Sequence, residues 1–154
     1  MLPRRLPVAS GAAAAAAAVL GLAGCGSKPA TRASVIARGN AICATASRAL
    51  ANLPAAGGSA GTTIDFVKAA PIVTREARAL SALPRPAADR AVLIHFLSAE
   101  SALAAGYRHL AVLQRTGNDA AVQGGLTRLA RIDPAAAAHR YGLTQCGGAS
   151  ATVR

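Results

Sequence analysis

Tryptophan is absent from this 154-residue chain, which has only two phenylalanines, two tyrosines and one methionine. That excludes a core filled by large rings, so apolar burial must come from Val, Leu, Ile and abundant Ala, the last contributing little per residue. Acid is scarce too: six Asp and Glu stand against 17 Lys and Arg, a net charge of +11. Acid–base chemistry therefore has only Asp65, Glu76, Asp89, Glu100, Asp119 and Asp133 to draw on. No stretch alternates polar and apolar residues as a half-buried strand does. No G-x-S-x-G, phosphate-loop, H-E-x-x-H or C-x-x-C-H motif is present. His95 and His109 lie fourteen apart on one expected helix, about 21 Å at 1.5 Å per residue, too far to share an ion. Neither a cofactor nor a metal is expected, and the expected role is non-catalytic.

What is there begins at the N-terminus. Arg4 and Arg5 precede an apolar run from Val8 to Ala23, built largely from Ala12 to Ala18 with Val19, Leu20 and Leu22. The run has the length of a secretory h-region and falls short of the ~20 residues of a spanning helix. Leu22-Ala23-Gly24-Cys25 follows, and this segment resembles the lipobox of bacterial prolipoproteins. Small residues let an extended backbone enter a signal peptidase, and the cysteine sulfur can carry a diacylglyceryl thioether. The resemblance implies cleavage before Cys25 and an acylated Cys25. One chain binds a bilayer marginally at ~0.8 kcal/mol per CH₂, but several anchor it stably. The expected organisation is a signal peptide over 1–24, a lipidated cysteine and short tether over 25–31, a helical domain over 32–146 and a tail over 147–154. The expected location is the extracytoplasmic face of the cell membrane.

Removing residues 1–24 takes Arg4 and Arg5 from the 17 basic side chains and no acid, which leaves 15 against six and a net charge of +9. All the basic residues but Lys28 and Lys68 are arginine, the bias of a GC-rich genome, and they are scattered rather than run together. No nucleic-acid stripe is indicated. A cationic domain near an anionic lipid or cell-wall polymer would gain attraction that salt weakens.

Three cysteines look odd for an exported protein until Cys25 is assigned to lipid. Cys43 and Cys146 then form an even pair in an oxidising compartment and are expected to bridge. Two buried free thiols, or a bridge between chains, are the alternatives.

The helical pattern predicts four segments. Thr31 is positioned to cap a first helix reaching about Asn52, with Ile36, Cys43 and Leu50 seven apart on one face. After the Gly- and Ala-rich 54–61, Thr62 and Asp65 are spaced as a capping box for a second helix with Val67, Val73 and Leu80, kinked or split by Pro71. Beyond Pro84-Arg85-Pro86, a third helix from about Ala87 to Gln114 places Val92, Phe96, Ala99, Leu103, Gly106, Leu110 and Leu113 on a seam. Gly117 and Asn118 separate it from a fourth helix with Val122, Leu126, Leu129 and Ile132, and Asp133-Pro134 begins a last segment to Tyr141. The expected fold is all-α: an antiparallel four-helix bundle with kinked or split second and fourth helices, closed by one disulfide.

The Asn40-Ala41-Ile42-Cys43 segment and the ending Tyr141-Gly142-Leu143-Thr144-Gln145-Cys146-Gly147 are similar to small lipoproteins of high-GC Gram-positive bacteria. That resemblance implies no established activity. The expectation is a membrane-anchored binder of an unknown protein partner or an envelope component. The alternative is a carrier of a small apolar ligand in a pocket between Ala- and Gly-lined helices.

Overall fold

The computed structural model describes residues 30–54 and 64–147, so the lipobox and Cys25 lie outside the described residues, as does Thr62. Five α-helices account for most of them: α1 (Arg32–Ala51), α2 (Phe66–Ser81), α3 (Arg90–Arg115), α4 (Asp119–Leu129) and α5 (Pro134–Tyr141). A 3₁₀ turn at Ala87–Asp89 leads into α3, and no strand occurs among the described residues.

The helix starts follow from local polar chemistry. Thr31 accepts from the Ser34 amide while Ser34 returns the bond to the Thr31 amide, a reciprocal box at α1. Asp65 caps α2, accepting from the Lys68 amide at 3.1 Å and pairing with Nζ of Lys68 at 2.9 Å. Pro71 lies inside α2, which continues through it as one helix rather than splitting. Asn118 caps α4 and Asp133 caps α5, with Pro134 in the first turn, where its missing N–H costs nothing. Gly117 and Gly142 take left-handed backbone at φ 66° and 103°, as helix stops require. Asp89 stands at the start of α3 but makes no capping bond there. Its carboxylate pairs with Arg32 at 3.5 Å and accepts from the Tyr141 hydroxyl at 3.4 Å, tying the starts of α1 and α3 to the end of α5.

Two apolar cores form. One gathers Phe66, Val73, Leu103, Tyr107, Leu110, Val122 and Leu129; the other gathers Val35, Leu80, Leu93, Phe96, Tyr141 and Leu143 around the Cys43–Cys146 disulfide. Among the described residues both draw on positions 30–146, all of which lie beyond Cys25. The bridge joins Cα atoms 5.0 Å apart, within the range that disulfides span without distortion. Gln114, near the end of α3, accepts from the Phe66 amide at 2.8 Å and donates to the Ile64 carbonyl, fixing the entry to α2. Where α3 meets α4, the glycines serve close approach: Leu129 of α4 lies over Gly106, and Leu110 of α3 lies over Gly125.

The buried face of α3 is turned from the expected seam. Leu93, Phe96, Glu100, Leu103, Tyr107 and Leu110 form it, spaced three and four, whereas Val92 is 43% exposed. Phe96, Leu103 and Leu110 belong to both sets, which is why the expected periodicity was right but its phase was not. Val67, expected on the apolar side of α2, is likewise exposed. Phe96→Ala and Leu103→Ala are each expected to cost about 2–5 kcal/mol in urea unfolding, while Ile94→Ala, at a half-exposed position, should change stability by under ~1 kcal/mol. Equal losses at all three would place the core on another face.

Candidate functional site

Two carboxyl groups stand between the two cores. On α2, Glu76 lies between Val73 of one core and Leu80 of the other; on α3, Glu100 lies between Leu103 and Phe96 in the same way. The sequence set them on different helices with no reason to meet. The packing of α2 on α3 brings them together, at 6% and 2% exposure. Four of the six carboxylates belong to helix starts; these two are the only buried charged residues among those described.

Neither carboxyl takes part in a hydrogen bond or an ion pair among the described residues, and Oε2 of Glu100 is fully enclosed without a partner. Burial of an ionised carboxylate without a counter-ion is costly, and the group answers by holding its proton. Burial first, and then the charge of Glu100, pushes the Glu76 carboxyl up to about 8; burial pushes Glu100 up to about 7. Tyr107 is wholly buried beside them, its ring edge-on to Phe66 at 5.4 Å between centroids. Burial, and next the charge of Glu76, raises its phenol further, so it stays protonated.

Glu76 also borders a cleft of about 380 Å³ between α1 and α2. Ala41, Ile42, Thr45, Ala46 and Ala49 of α1 face Ile72, Arg75 and Ala79 of α2 across it. The hollow follows from composition. Alanines at successive turns of α1, with Ala79 opposite on α2, are too short to fill the space between the helices. The result is a mostly apolar slot with a protonated carboxyl at one wall and the Arg75 guanidinium at the rim.

The remaining candidates fall elsewhere. Cys43 and Cys146 are joined as a structural bridge within the second core. His95, His109 and His139 are all exposed, and no cluster of three metal-ligating side chains occurs among the described residues. No helix among the described residues is long and apolar enough to cross a membrane. A signal for the buried pair was present in the sequence: Glu100 sits seven residues from Leu93 and Tyr107, in step with the true seam, and Glu76 sits three from Val73 and four from Leu80. An acid in phase with a core stripe is the mark of a buried one. Comparison with family models, curated proteins and solved structures finds no match to the chain.

Proposed function

We propose that this chain is a lipid-anchored, extracytoplasmic, non-catalytic protein whose cleft between α1 and α2 receives a small, mostly apolar ligand. The observation that carries the reading is the slot itself, about 380 Å³ with walls of Ala and Ile and one buried, unbonded carboxyl. That volume lies in the ~300–1,000 Å³ range of small-molecule sites, where apolar walls supply affinity and a few polar groups fix orientation. A protonated Glu76 supplies such a group, a hydrogen-bond donor toward the slot.

The address rests on the lipobox at Leu22-Ala23-Gly24-Cys25. Thr31 caps α1 six residues after Cys25, so an acylated Cys25 would hold the domain within about 20 Å of the bilayer at ~3.3 Å per extended residue. The helices are arranged in this reading as an antiparallel bundle, with α4 and α5 sharing the fourth place and Pro71 bending α2. The bonds from Gln114 to the start of α2 support that arrangement. The second reading, a binder of a protein partner, is favoured by the exposure of Val67, Val92, Ile94 and Val112.

Protein extracted from membranes tests both parts. Its intact mass should show an N-terminus at Cys25 with added acyl mass, and an unacylated terminus elsewhere sinks the address. Titration with an environment-sensitive apolar fluorophore should saturate, and Ala79→Phe, which fills the slot, should weaken it at least about tenfold. Unchanged affinity in a normally melting Ala79→Phe protein would remove the cleft from consideration.

A further inference from the structure

The outer face formed by α2 and α3 is cationic and apolar at once. One hollow of about 600 Å³ there is lined by Arg75, Arg78, Arg108 and Arg115 with Val67 and Val112. A second, of about 540 Å³, is lined by Leu83, Arg85, Arg90 and Ile94. No carboxylate lines either hollow, and none of these six arginines is in an ion pair among the described residues. Three of the four large apolar side chains exposed among the described residues line them: Val67 at 39%, Ile94 at 51% and Val112 at 48%.

Helix geometry makes this one stripe rather than two patches. Ile94 and Val112 are eighteen residues apart on α3, five full turns at about 100° per residue, so both point the same way about 27 Å apart. Arg90, Arg108 and Arg115 fall within about 60° of that line on the same helix. The acids of the chain are elsewhere: Glu76 and Glu100 are buried, Asp65 is paired with Lys68, Asp89 is held by Arg32 and Tyr141, and Asp119 and Asp133 begin α4 and α5.

We infer that the α2/α3 face lies against an anionic bilayer, with the arginines on lipid phosphates and Val67, Ile94 and Val112 set into the headgroup boundary. Charge complementarity selects the surface, since anionic lipid attracts each basic residue held near it and salt weakens the attraction. The exposed aliphatic residues select a bilayer over a soluble polyanion, because only the bilayer offers them an apolar phase. Arginine suits the position, as its methylene stem can lie along the apolar boundary while the guanidinium stays at the phosphates. The inference depends neither on the cleft nor on lipid at Cys25.

The test uses the oxidised chain beginning at Gly26, which holds both cores and the disulfide and carries no acyl group. It is mixed with phosphatidylcholine vesicles, alone or with an equal share of phosphatidylglycerol, and bound protein is measured by co-sedimentation. Binding is expected only with phosphatidylglycerol and should fall at least about tenfold when salt rises from low to several times physiological strength. R75E/R108E should lose about tenfold or more, while R128E/R131E, with the same net charge but outside both hollows, should stay within about threefold. I94S/V112S, which changes no charge, should also weaken vesicle binding at least severalfold. Equal losses in the two charge-reversed proteins would reduce the effect to net charge and overturn the face. Vesicle binding unaffected by I94S/V112S, with comparable binding to heparin, would make the face a site for a soluble polyanion instead. Melting of each variant, read by circular dichroism, ensures that the comparison is between folded proteins.

Discussion

Cys43→Ser and Cys146→Ser are each expected to remove several kcal/mol of stability, up to ~4.7 kcal/mol for closure of a loop of about a hundred residues in the chain-entropy model. The bridge spans a sequence separation of 103, so its loss restores conformational freedom to nearly the whole described chain in the unfolded state. The folded state has little with which to compensate. The 143–147 segment after α5 buries Leu143 and Cys146 but is otherwise held by single bonds, such as the Gln145 amide to Asn40 Oδ1 at 3.0 Å. Urea unfolding with and without reductant measures the effect. The double substitution should cost little more than either single one, because each already breaks the same bond. An unfolding midpoint unmoved by reduction would show that packing alone holds the fold.

The second large effect concerns pH. Glu76 and Glu100 rise from an ordinary 4.5 to about 8 and about 7 in the folded protein. Both carboxyls bind a proton more tightly folded than unfolded, so the folded state is favoured most below about pH 4.5 by these groups. That advantage is lost as pH rises through about 7 to 8. Each pK unit is worth about 1.4 kcal/mol, so the decline amounts to several kcal/mol. This slope is opposite to that of a domain held by ionised, paired carboxylates. Denaturant melts at a series of pH values between 5 and 8 should show falling stability, and Glu100→Gln should remove a large part of the slope while leaving the protein at least as stable near pH 8. Stability rising over that interval would mean that both groups are ionised and partnered in the folded state.

Helix existence and most helix ends were legible from single residues, because caps act locally: Thr31, Asn118, Asp133, Gly117 and Gly142 each stop or start a helix where their chemistry says they should, whereas Asp65, read as the inner member of a box opened by Thr62, is itself the cap of α2. Cysteine parity was enough to anticipate the bridge. The phase of α3 was not legible in the same way. A spacing of three and four fits two adjacent stripes on an alanine-rich helix, and the seam through Val92, Ala99 and Gly106 passes beside Glu100 rather than through it. Small residues such as Ala99 and Gly106 satisfy the spacing without deciding the phase, so the stripe that carries Glu100 was passed over. Single-helix patterns offered a pocket between small-residue helices as an alternative but could not place it, since a gap depends on which alanines face the neighbouring helix. Asp89 shows the same limit, its position marking a helix start while its bonds go to Arg32 and Tyr141.

The exchange of leucines and glycines between α3 and α4 sets position along the axis as well as distance between the helices. Leu110 fills the notch at Gly125, and Leu129 fills the notch at Gly106; on each helix the glycine and the leucine are four residues apart. A slide of α4 by one turn would set leucine against leucine in one direction and glycine against glycine in the other, so neither placement seats the leucines in notches. The contact therefore admits one register, as two pins admit one seating of a plug. Enlarging either glycine puts a methyl where the tip of the facing leucine now sits, so that leucine must turn aside and the notch that seats it is lost.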